Sequence, residues 1–151
     1  LMLTHRGETQ HMKHFTATID IDAPPSTVWE ILTAGDQYTA WDPHMISLDG
    51  TIALGEKLTV LTKLAPDRAF TPIVSEFDAP RKMVWSSKMP LGLFSGIRTF
   101  ELEALADNKT RFTLTEEFSG ILLPVFGATI PDMNPVFADF TQALKNRAES
   151  H

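Results

Sequence analysis

The chain has 151 residues, 43% apolar and 21% charged, the balance of one globular domain with a core of its own. A formal net charge of −6 with no Lys/Arg run argues against a nucleic-acid backbone partner, whose binding needs clustered cations. The absence of cysteine excludes disulfide frameworks, thiol catalysis and cysteine-ligated metals, and no apolar run reaches membrane-spanning length.

The opening LMLTHRGETQHMKHF lacks the apolar middle of a secretory signal and reads as a leader, with Met12 a possible natural start. Residues 1–12 are expected to be poorly ordered and 13–151 to form a single domain, with a cytoplasmic location as the default. His5, His11 and His14 fall in this leader, at a spacing too loose for a metal site, and no metal or cofactor is expected.

Phe15, Ala17, Ile19 and Ile21 alternate with Thr16, Thr18, Asp20 and Asp22, a half-buried strand. AlaProPro stops it, and Ser26 or Thr27 then caps a helix whose apolar face is Val28, Trp29, Ile31 and Leu32, ending at Gly35. A short helical segment over 36–41 follows, closed by Asp42 and Pro43. Strands are predicted over 45–52, 57–63, 70–77, 82–88, 97–105 and 110–118, in three antiparallel hairpins. At the end, Met133, Val136, Phe137, Phe140, Leu144 and Arg147 form one helical stripe, opposite Asp139, Gln142, Asn146 and Glu149; Pro131 and Pro135 start this helix near Asp132. The fold class is α+β: a curved antiparallel sheet of about seven strands wrapped on a long C-terminal helix, with two short helices after the first strand. A sheet bent that strongly leaves an apolar space against the helix, where ligands bind.

In TRFTLTEEFSG, Glu116 shares a face with Phe112, Leu114 and Phe118. Opposing Ala106 to Thr110 in the last hairpin sets Phe100 against Glu116 and Arg98 against Phe118, leaving Arg98 and Glu116 as diagonal neighbours on the inner face. A carboxylate in an apolar wall is tolerable when it shares hydrogen bonds with a guanidinium. Two readings stay open: a polar anchor for a ligand, or a structural ion pair at the rim of the sheet.

Trp29 reads as core, Trp85 suits core or cavity, and Trp41 is placed at a cavity rim before AspProHis. His44 is either a general base or a surface turn residue. The apolar stretch over 120–127 reads as a lid hinged at Gly120 and Gly127, or as a packed linker. No Gly-x-Ser-x-Gly turn, phosphate loop or zinc-protease helix occurs.

IDIDAPPSTVWEILTAGDQYTAWDPHM, the strand-closing MVW, LFSGIRTFELE, TRFTLTEEFSGILLP and ALKNRAE together resemble the START-like or SRPBCC superfamily, in its polyketide cyclase/dehydrase and lipid transport branch. The resemblance implies a helix-grip fold and a deep cavity for a hydrophobic small molecule such as a lipid or polyketide. It implies no invariant catalytic set. Where many relatives carry a histidine in the GlyIleArgThrPhe stretch, this chain has Arg98, which stays protonated.

The expected function is binding or transport of such a molecule, with no nucleic-acid partner, no membrane span, and a monomeric or homodimeric state. Its lining is drawn from Trp41, Phe100, Leu114, Phe118, Met133, Phe137 and Phe140, with Arg98 and Glu116 supplying polarity. The alternative is a polyketide cyclase or dehydratase with Glu116 as base and Arg98 polarising a carbonyl; Glu116, Arg98 and His44 are its weak catalytic candidates. A third reading, a protein-interaction module on the outer face of the sheet, has no exposed apolar patch in the pattern to support it.

Overall fold

The computed structural model describes residues 12–126 and 130–150. β1 (Met12–Ile21) leads into α1 (Pro25–Thr33), a 3-10 turn and the one-turn α2 (Tyr38–Trp41). β2 (Met45–Asp49), β3 (Thr59–Thr62), β4 (Ile73–Asp78), β5 (Lys82–Lys88), β6 (Ser95–Ala106) and β7 (Lys109–Ser119) follow, then the short α3 (Leu123–Phe126) and the long α4 (Asn134–Glu149). Among the described residues there are seven strands. Five form one antiparallel sheet in the order β1-β7-β6-β5-β4, and β2 and β3 form a second. Single bridges, Lys57 to Ile73 and Val60 to Phe70, carry the pair on from β4.

β1 begins at Met12, so His14 belongs to a strand, opposite Glu117, and not to a leader; His5 and His11 lie outside the described residues. The outer face of β1 is held by hydroxyl pairs, Thr16 with Thr115 and Thr18 with Thr113, each at 3.3 Å. Its inner face carries Phe15, Ala17 and Ile19 against the core. α1 has no hydroxyl cap: Pro25 stands in its first turn, where a missing N–H costs nothing, and Thr27 and Val28 donate to the Pro24 carbonyl.

α4 lies on this sheet through Phe137, Phe140, Thr141, Leu144 and Ala148, with Met133 just before its first turn also buried. That stripe differs from the expected one by taking Thr141 and Ala148 where Val136 and Arg147 were predicted; those two are half-buried at its margin. The end of α4 is tied to the end of β1. Lys145 Nζ donates to the Asp20 carbonyl at 2.9 Å, and Glu149 Oε2 accepts the Asp22 N–H at 2.8 Å.

The last hairpin departs from the predicted register. Its turn is the two residues Asp107 and Asn108, because Ala106 pairs with Lys109, and a bulge at Leu105 then sets Ala104 against Thr110. Phe100 therefore faces Leu114, and Arg98 faces Glu116 directly, not diagonally. The displacement from the expected pairing is two residues. Side chains alternate with a period of two, so every residue stays on its expected face.

Candidate ligand site

Four pairings line up into one row across the sheet: Val74 on β4, Trp85 on β5, Arg98 on β6, Glu116 on β7 and Phe15 on β1. All five point to the concave side. The next row toward the core is Phe77, Met83, Phe100, Leu114 and Ala17; the row on the other side is Ser87, Gly96, Phe118 and Lys13. The row that carries the ion pair thus lies beside a wholly apolar one, under α4.

Arg98 Nη2 donates to Glu116 Oε1 at 3.0 Å, and the side chains retain 25% and 12% of their exposure. Solvent therefore reaches both, although they stand on the inner face. The Arg98 guanidinium lies 5.4 Å from the centre of the Phe137 ring, a cation–π contact from α4. Burial works against the arginine's charge. The charge of Glu116 and the hydrogen bond to it outweigh that, with Asp42 and Tyr38 adding, and hold its pKa above the usual value.

Two further polar groups reach this region that sequence reasoning missed. Asp42 is 7% exposed, and its Oδ1 accepts the His44 N–H at 3.0 Å. Burial pushes its carboxyl above the ordinary aspartate range, against the pull of that N–H and of Arg98. Tyr38 is buried and donates its hydroxyl to the Leu32 carbonyl; burial first, then the charge of Asp42, pushes its pKa up, so it stays neutral. The pattern gave Asp42 a loop-closing role and Tyr38 none, because the alternation that exposes Glu116 has no counterpart in a short helix followed by a turn.

The aromatic candidates divide. Phe100, Leu114, Phe137 and Phe140 are buried, as is Met133, and they form part of the continuous core. Phe118 and Trp41 are half-buried. The Trp41 ring packs against Tyr38 and Phe140, with centroids 4.9 and 5.1 Å away. Trp85 packs against Phe100 at 4.8 Å, and Trp29 is core, against Phe77. His44 is engaged elsewhere: its Nε2 lies 2.9 Å from Asp139 Oδ2 on α4, which joins the turn before β2 to the helix.

Gly120 is held and not open. At φ +126° it lies where a Cβ would be 2.6 Å from the Leu93 carbonyl oxygen, and the N–H groups of Ile121 and Leu122 bond to Gly92 and Leu93. Ile121 is exposed and Leu123 buried; Gly127 lies outside the described residues. Among the described residues, no group of three or more His, Asp or Glu is arranged to hold a metal ion, and no helix is long and apolar enough to cross a membrane.

This bent sheet closed by a C-terminal helix is the START-like helix-grip fold. The chain belongs to the polyketide cyclase/dehydrase and lipid transport family, whose model matches residues 12–149. Among solved structures it is similar to the Zhui aromatase/cyclase of Streptomyces sp. R1128, with 16% identity and a TM-score of 0.71 over 92% of this chain and 94% of that one. A START superfamily protein from Mycobacterium smegmatis matches at 14% identity and a TM-score of 0.68, over 93% and 98% of the two chains. Norcoclaurine synthase from Thalictrum flavum matches at 13% and 0.68, over 93% and 96%. At such identities the likeness establishes the fold. No curated protein matches the chain.

Proposed function

We propose that this protein binds a hydrophobic small molecule, a lipid, polyketide or similar, between the concave face of the sheet and α4. Arg98 and Glu116 anchor its polar end. Phe118, Trp41 and Phe137 supply the apolar contacts beside that end, with Phe100, Leu114, Met133 and Phe140 behind them. The observation that carries this reading is the ion pair itself: inward-facing, capped by Phe137, yet still reached by solvent. A purely structural pair gains little from such a place, since desolvation offsets much of its attraction. A ligand group exchanging hydrogen bonds with it gains both orientation and affinity.

Native mass spectrometry of the purified protein is expected to show a retained small molecule that is released on denaturation. Arg98→Met and Glu116→Gln are each expected to lower that retention. Equal retention in both folded variants would remove the anchoring role. No retained molecule, and no uptake of apolar ring compounds, would remove the binding function.

A cyclase or dehydratase reading stands second. One observation favours it: Asp42 gives the site a second carboxyl besides Glu116, one that burial pushes above the ordinary aspartate range. Against it, Glu116 Oε1 is already engaged by Arg98. Turnover lost in Glu116→Gln with binding retained would reverse the order.

A further inference from the structure

Two hydrogen-bond donors in this region have no acceptor. The indole nitrogens of Trp41 and Trp85 are enclosed and unpartnered among the described residues, and Trp85 as a whole is only 4% exposed. A buried N–H left unpaired is costly, so each such group in a folded protein calls for a reason. The polar groups around them have other partners. Tyr38 donates to Leu32, Asp42 accepts from His44, and Glu116 accepts from Arg98. Trp85 stands directly across from Arg98, itself a donor with no accepting capacity. Two indole N–H groups and the Arg98 guanidinium thus stand in one stretch of the concave face, and neither indole donates to Asp42, Glu116 or Tyr38.

The rings that surround these donors narrow the ligand further. Tyr38 neighbours both indoles, and Tyr38, Trp41, Trp85, Phe100 and Phe140 pack with centroids 4.8 to 6.4 Å apart. Flat rings at such spacings favour a flat partner. A carbonyl oxygen offers two lone pairs and no proton, which suits unpaired N–H donors better than a hydroxyl does.

We propose that Trp85, with Trp41 and Arg98, forms a subsite for an acceptor oxygen, so that the protein selects cyclic carbonyl compounds over hydrocarbons of the same shape. This rests on the ligand site proposed above and specifies its chemistry.

The test compares 1-indanone with indane, which differ only in the carbonyl. 1-Indanone is expected to bind about fivefold more tightly, the worth of one net hydrogen bond. In spectra of the 15N-labelled protein, assigned with single Trp→Phe variants, the Trp85 and Trp41 indole N–H signals are expected to move downfield with 1-indanone and much less with indane. The Trp29 signal is the internal control and should stay. Trp85→Phe keeps a ring but removes the donor, and should bring the two affinities close to parity. If that variant does not fold, the indole signals of the unaltered protein decide. Equal affinities with unmoved Trp85 and Trp41 signals would overturn the subsite while leaving the ligand site standing. Failure of both compounds to bind would overturn the subsite and the ligand site together.

Discussion

Glu116→Gln isolates the electrostatics of the concave face. The substitution keeps size and an acceptor oxygen but removes the charge opposite Arg98, 3.0 Å away. Removing one partner of a fully buried pair costs about 3–5 kcal/mol, whereas a solvent-exposed pair is worth about 0–1 kcal/mol. With exposures of 25% and 12%, this pair stands between those limits, nearer the buried one. A loss of about 2 kcal/mol is therefore expected, since the amide oxygen still accepts from the guanidinium. For a domain of this size that lowers the melting temperature by about 4–8 °C. Arg98→Met should cost a similar amount by stranding the carboxylate. The double variant should lose less than the sum, with a coupling of about 1–2 kcal/mol, because neither charge is then left alone. Urea denaturation of all four proteins measures the cycle. Melting temperatures within about 1 °C of one another, together with additive effects, would refute the reasoning and reduce the pair to a hydrated surface contact.

Two further outcomes follow from groups nearby. The folded protein holds the Asp42 carboxyl above its unfolded pKa, so this residue's contribution to stability is fully present below the unfolded value and lost as pH rises through the folded one. Asp42→Asn, which can still accept the His44 N–H, should gain on the unaltered protein as pH rises to neutrality and lose that advantage on acidification; a pH-independent difference in chemical denaturation would contradict this. Gly120→Ala should cost about 2 kcal/mol or more by denaturant titration, because left-handed backbone and a 2.6 Å clash with the Leu93 carbonyl oxygen coincide there. Gly55→Ala, also at positive φ but with open space around it, should cost clearly less, and equal losses would show that the clash is relieved.

The period of two made much of this site legible. Phe112, Leu114 and Phe118 define a buried face, and Glu116 must share it whatever even-numbered slip the hairpin takes. The register itself was not legible. AlaAspAsnLys does not reveal that the turn closes on two residues and that a bulge at Leu105 absorbs the next one. Nor could the pattern place Trp85 opposite Arg98, since β5 and β6 are joined by six residues, 89–94, whose number says little about pairing. The N-terminal cap failed for a local reason: Pro25 takes the first helical position, which moves the start ahead of both hydroxyls. Asp42 and Tyr38 were invisible because their burial comes from tertiary packing alone.

That Val74, Trp85, Arg98, Glu116 and Phe15 come from five separate strands has a consequence for how this molecule can change. No two of them are close neighbours along the chain, so their meeting depends on connections far from where they meet. A change at the Asp107–Asn108 tip that shifted the pairing by two residues, at the far end of the hairpin, would bring Arg98 opposite Leu114 or Phe118 and turn the direct pair into a diagonal one, with no inward-facing side chain altered. Loop length at the periphery is thus a chemical variable of the interior.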